Sequence, residues 1–138
     1  MNWKLIFVLS IAGVIDAIAS AYGLLGKAEP VFWVLVWVLY ALVIARKTTS
    51  RRFLHGFTVS VLNGIWIGLI HSAMVETYSA NNPEMMESYR QMPGFLSAMP
   101  PGTVMLIMGP VIGALTGLIA GGLAALAGKL MKMPQPQG

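Results

Sequence analysis

The sequence predicts an all-α polytopic membrane protein: four transmembrane helices, with a short amphipathic helix in the outer loop between helices three and four. Three observations predict it. Of the 138 residues, 57% are hydrophobic and only 10% are charged, whereas a soluble domain carries about 25% charged residues. The apolar residues fall into four long runs. The basic residues gather at the ends of those runs. A chain this short cannot bury so much apolar surface in one core, so the excess faces lipid. Backbone in lipid must satisfy its own hydrogen bonds, which makes the runs helices and not isolated strands.

The first run, from Leu5 to about Leu25, lies between Lys4 and Lys27. The second extends from about Val31 to Ala45 and ends at Arg46-Lys47. The third, Phe53 to Val75, follows Arg51-Arg52, and the fourth, about Thr103 to Ala127, precedes Lys129. A spanning helix takes about 20 apolar residues. Runs one, three and four meet this. The second does so if its helix begins near Glu29-Pro30, since proline suits a first helical turn. Trp33 and Trp37 then fall near an interface, where amphipathic rings are favoured. Lys4, the first run and Ala19-Ser20-Ala21 also resemble a signal peptide with its cleavage site. Asp16 within the run and its continuation through Leu24-Leu25 point instead to a retained helix.

Charge sets the orientation. The loop between runs two and three holds Arg46, Lys47, Arg51 and Arg52, and basic loops stay cytoplasmic. Both termini then lie on the same side, with Lys4, Lys129 and Lys132. Seven of the nine Lys and Arg are thus inside, leaving Lys27 and Arg90 outside with Glu29, Glu76, Glu84 and Glu87. The expected location is a bacterial inner membrane with cytoplasmic termini. The net charge of +4 reflects this asymmetry. No basic stripe interleaved with aromatics exists, so nucleic acid is not an expected partner; the lipid bilayer is, and a homo-oligomer is allowed.

The outer loop runs from Glu76 to Gly102. Asn81-Asn82-Pro83 reads as a turn and helix start. Pro83 to Met92 reads as an amphipathic helix, with Met85, Tyr89 and Met92 on one side and Glu84, Glu87 and Gln91 away from it. Such a helix rests on the membrane surface or caps the bundle. The organisation is a transmembrane domain over residues 1–128 and a flexible cytoplasmic tail over 129–138, whose proline-rich end is too polar to fold alone.

Small residues recur at every fourth position. Helix four has Gly109, Gly113, Gly117, Gly121 and Ala125; helix three has Gly56, Ser60, Gly64, Gly68 and Ser72. This spacing lets two helix backbones approach closely, where van der Waals contact replaces the missing hydrophobic drive. Packing of helices three and four within one chain is the simpler reading; a pore or homodimer seam is the alternative. Pro110 frees the carbonyl of Leu106 and predicts a kink in helix four.

Asp16 is the most costly residue. It lies about eleven residues from the inner end of helix one, roughly 16 Å deep at 1.5 Å per residue. Inserting an Asp at such a depth costs about 2.5–3.5 kcal/mol. Asn63 and Thr116 fall at matching depth in helices three and four. The three residues Asp16, Asn63 and Thr116 are therefore a candidate intramembrane polar layer, with an expected hydrogen bond between Asp16 and Asn63. Functionally, Asp16 is a candidate proton-coupled carboxyl or cation site; structurally, it is a tie between helices one and three.

His71 and His55 sit near the two ends of helix three and are expected to be interfacial, without a ligand role. Met85, Met86, Met92 and Met99 offer soft thioethers, which with His71 would suit Cu(I), but methionine more commonly fills irregular contacts. The chain has no cysteine, so disulfides and thiolate metal sites are excluded. No G-x-x-x-x-G-K-[ST], H-E-x-x-H or G-x-S-x-G is present, nor a supported Ser/His/Asp grouping. No enzymatic activity, catalytic residue, cofactor or metal is expected.

The stretch from Arg52-Phe-Leu-His-Gly-Phe through Asn82-Pro83-Glu84, followed by the loop helix and the glycine-rich last span, resembles a family of four-helix bacterial integral membrane proteins classed as a domain of unknown function. The resemblance covers the second half of the chain. It implies a four-helix inner-membrane protein and supplies no activity. The function expected from the sequence is that of a structural or accessory membrane protein. The alternative is an oligomeric proton- or cation-coupled small transporter or channel using Asp16.

Overall fold

The computed structural model describes residues 1–131. The helices are α1 (Trp3–Ala21), α2 (Glu29–Lys47), α3 (Arg52–Ala73), α4 (Val75–Asn81), α5 (Pro83–Arg90) and α6 (Pro101–Leu130). Four of them, α1, α2 with the turn before it, α3 and α6, are long and apolar enough to cross a membrane. The last reaches Leu130, two residues past the expected domain limit; residues 132–138, most of the expected tail, lie outside the described residues.

The first helix stops four residues short of the expected end at Leu25. Gly23 adopts φ +69°, a left-handed conformation that glycine takes without steric cost. Its N–H donates to the Ser20 carbonyl at 2.9 Å and that of Leu24 to the Ala19 carbonyl at 3.0 Å. This is the Schellman termination, which satisfies the last carbonyls of a helix. A second left-handed glycine, Gly26 at φ +47°, completes the turn. The chain is thereby swung so far that the α1 and α2 backbones lie apart and meet through side chains such as Ile6, Val36 and Tyr40. The spatial order is α1 beside α3, α3 beside α6, and α6 beside α2.

One end of the bundle collects the basic residues. Here the Asn2 side chain caps α1 by accepting from the Leu5 N–H. The Asn2 backbone N–H donates to His55 Nε2 at 2.9 Å, and His55 Nδ1 lies 2.8 Å from the Arg51 carbonyl. An acceptor Nε2 makes Nδ1 the protonated nitrogen, so this imidazole joins the start of α1 to the start of α3. Arg52 lies across Gly128 and donates to the Ala45 carbonyl at 3.3 Å. His55 is therefore a buried tie, not the expected interfacial side chain.

The bundle is held together chiefly by α3 and α6. Gly56 faces Ala120 and Gly121, Gly64 faces Gly109 and Gly113, and Gly68 faces Met105 and Gly109. Gly117 and Gly121 lie against Phe57 and Phe53. A Cβ on Gly113 would stand 2.7 Å from the Ser60 carbonyl oxygen, and one on Gly56 2.6 Å from that of Ala120. These helices touch backbone to backbone, which small residues alone permit. Both ladders are thus used within the chain. The helix continues through Pro110 without a break.

Candidate functional site

Asp16 is 1% exposed and Asn63 is 2% exposed, so both point into the protein. The expected hydrogen bond between them is not formed. Asn63 Oδ1 accepts from the Gly13 N–H at 3.2 Å, and its Nδ2 donates to the Tyr40 hydroxyl at 2.9 Å. The Tyr40 hydroxyl in turn donates to the Leu9 carbonyl at 2.9 Å. Gly13 makes this possible. A Cβ there would stand 2.7 Å from Asn63 Cα, so only glycine lets α3 come near enough for a side-chain amide to reach an α1 backbone N–H. Equal depth does not join Asp16 to Asn63, because Asn63 is already committed one turn earlier on α1.

Thr116 is likewise engaged elsewhere. Its Oγ1 lies 2.9 Å from Ser60 Oγ and also donates within its own helix to the Ile112 carbonyl. The three candidate residues therefore belong to separate networks. Neither carboxyl oxygen of Asp16 has a hydrogen-bond partner among the described residues. The Trp33 indole and the Glu29 carboxyl are close enough to act on it electrostatically, but the indole does not reach hydrogen-bonding geometry. Buried polar groups in proteins are almost always paired, and an unpaired one costs about 1–3 kcal/mol or more.

A cavity of about 410 Å³ opens beside this carboxyl, between α2, α3 and α6. Trp33, Trp37 and Glu29 line it from α2, and Ser60, Asn63 and His71 from α3. Tyr78 of α4 and Met85 and Tyr89 of α5 close its loop end. Asp16 is not among the lining residues; it lies close to two that are, Trp33 and Glu29. Trp37 is half-buried and turns its Nε1 inward, where it has no partner among the described residues.

His71 is also buried, and its Nε2 lies 2.8 Å from Ser20 Oγ and 3.1 Å from the Ala17 carbonyl. Its ring packs on Tyr78, with centroids 4.2 Å apart. This corrects its expected interfacial place: α1 covers it on one side and α4 on the other. Burial pushes the Tyr78 phenol up, with Tyr89, Glu29 and Asp16 adding to the shift, and burial does the same to Tyr89. Both stay neutral aromatic walls at ordinary pH. Asn82 Nδ2 and Asn81 Nδ2 donate to the Ser20 and Ala21 carbonyls at 2.9 and 3.3 Å, fixing this cap to the end of α1.

The arrangement offers a buried carboxyl without a donor among the described residues, and an aromatic cavity near it. A carboxyl so placed can bind a proton or a cation. Sequence reasoning found Asp16 and Asn63 through their cost in lipid. It missed Tyr40, whose phenol lies in an apolar run, and it placed Trp37 and His71 at interfaces. The only available signal was Gly13, one turn before Asp16. Comparison of the chain with family models, curated proteins and solved structures finds no match.

Proposed function

We propose that the chain is a small membrane transporter or channel in which Asp16 is the group that takes up a proton or cation. The observation that supports this is the unpaired, fully buried carboxyl beside a cavity. A carboxyl kept for structure would hold a hydrogen bond, and Asn63 or Thr116 would be its natural partner. Both serve other groups, so structure alone gives no reason for an acid at this position. The self-contained networks around Asn63 and Ser60 favour the structural or accessory reading for those residues, but that reading leaves Asp16 without a role.

On this reading the basic end of the bundle is cytoplasmic and α4 and α5 lie outside, in a bacterial inner membrane. Six of the described basic residues, Lys4, Arg46, Lys47, Arg51, Arg52 and Lys129, flank that end, which supports the orientation. Membership of the four-helix bacterial family that the second half resembles is part of the same proposal. With the glycine ladders engaged inside the chain, any homo-oligomer would form through other faces.

The test is reconstitution into liposomes holding a trapped pH-sensitive dye. An imposed membrane potential or cation gradient should drive a pH change with the native chain. Asp16→Asn should fold normally and abolish the change, since an amide cannot titrate. Equal traces from the two proteins would contradict the proposal.

A further inference from the structure

We propose that the cavity binds an organic ammonium group carried on an apolar body, admitted sideways from the bilayer between α2 and α6. The inference rests on this region being a binding site, but not on Asp16 exchanging a proton.

Three observations carry it. The first is charge. Glu29 is the one carboxylate lining the cavity, and no Lys or Arg lines it. Among the described residues the single ion pair joins Arg90 to Glu87, so Glu29 is not neutralised by a paired cation. Lys27 lines the adjoining groove without pairing to it. Asp16 is a second carboxyl, close enough to Glu29 to act on it electrostatically.

The second is the aromatic wall. Trp33, Trp37, Tyr78 and Tyr89 surround the space next to Glu29. Ring faces attract cations, and the attraction grows when the site is shielded from water. Alkylammonium groups suit such a wall because they are bulky, weakly hydrated and need no fixed ligand geometry. A metal ion is a poor fit: no group of three His, Cys, Asp or Glu residues capable of holding one occurs among the described residues.

The third is the opening. Val34 and Ile112 line the cavity and are 52% and 51% exposed. They belong to spanning segments, so the cavity gives onto the surface that lipid covers. An occupant can leave its apolar part there while its charged end reaches Glu29 at the start of α2. Two sources share this chemistry: the choline-type headgroup of a membrane lipid and a free amphiphilic amine.

The experiment uses the full chain in a maltoside detergent that lacks choline. Tryptophan fluorescence is followed while benzyltrimethylammonium is added, and again with neopentylbenzene, its uncharged isostere. The ammonium should give a saturable change, and the isostere should bind about tenfold more weakly. Glu29→Gln and Trp33→Leu, each checked for native helix content, should weaken the ammonium by a similar factor. A short-chain phosphocholine lipid is then added in competition, with its phosphoglycerol analogue as control. Displacement by the phosphocholine alone identifies lipid as a source; no displacement assigns the site to free amines, and the proposal stands in both cases. Equal binding of ammonium and isostere, or an unchanged affinity in Glu29→Gln, overturns it. Ammonium binding without any Asp16-dependent pH change would remove the coupling role alone and leave this site intact.

Discussion

Asn63 donates to the Tyr40 hydroxyl at 2.9 Å, and this bond aims the amide at α2 and not at Asp16. It ties α3 to α2, while the other end of the same amide ties α3 to α1 at Gly13. Three helices thus meet at one side chain. The acid one turn further along α1 has no hydrogen-bond partner among the described residues.

Tyr40→Phe should destabilise the bundle by about 1–3 kcal/mol, because it leaves the buried Asn63 Nδ2 without an acceptor. Asn63→Leu should cost at least as much, since it also removes the bond from the Gly13 N–H to Asn63. Unfolding in mixed micelles, followed by circular dichroism, measures both. Wild-type stability in Tyr40→Phe would show that the network carries no weight.

The glycine interface makes a paired prediction. Gly64→Leu should cost about 1–3 kcal/mol or prevent folding, because any Cβ there meets the Gly109 carbonyl and forces the helices apart. Gly122→Ala, on the same helix as Gly109 but with open space around it, should be neutral or slightly stabilising, as alanine favours helix. Equal losses in the two variants would contradict the packing described.

Topology is checked by reporter fusions. Fusions after Ala45 and after Lys132 should report cytoplasm, and one near Glu87 should report the outside. A cytoplasmic Glu87 fusion would invert the orientation and place the α4–α5 cap on the other side.

Alkaline titration tests the cap over the cavity. The Tyr78 and Tyr89 phenols are both raised by burial above the ordinary 10.0. A raised acid favours the folded state while it is neutral, so its contribution is complete below pH 10 and lost as pH climbs through the folded value. Absorbance of ionised tyrosine should show a late component that shrinks in Tyr78→Phe, with the cap loosening as it appears. A single unshifted transition would contradict the burial of these rings.

Much of the fold is legible in the sequence because lipid imposes strict terms. The four runs and the four-residue glycine spacing on α3 and α6 are direct consequences of the bilayer and of close helix contact. The site is less legible for a geometric reason. Depth along a helix follows from counting residues at about 1.5 Å each, and it places Asp16, Asn63 and Thr116 in one layer. Rotation about the axis depends on how each helix packs. It is Gly13, not Asp16, that turns toward Asn63, and Ser60 that turns toward Thr116. The cavity depends on how α2 sits against α3 and α6, which no residue pattern encodes, and the inward turn of Trp37 follows from it.

The most direct measurement is infrared difference spectroscopy of the reconstituted protein between acidic and alkaline buffer. If Asp16 takes up and releases a proton, the native chain gives a carboxyl difference band that disappears in Asp16→Asn, while the amide bands of the two proteins coincide. If the carboxyl region is the same in both, Asp16 does not exchange a proton, and its role as a coupling group is contradicted.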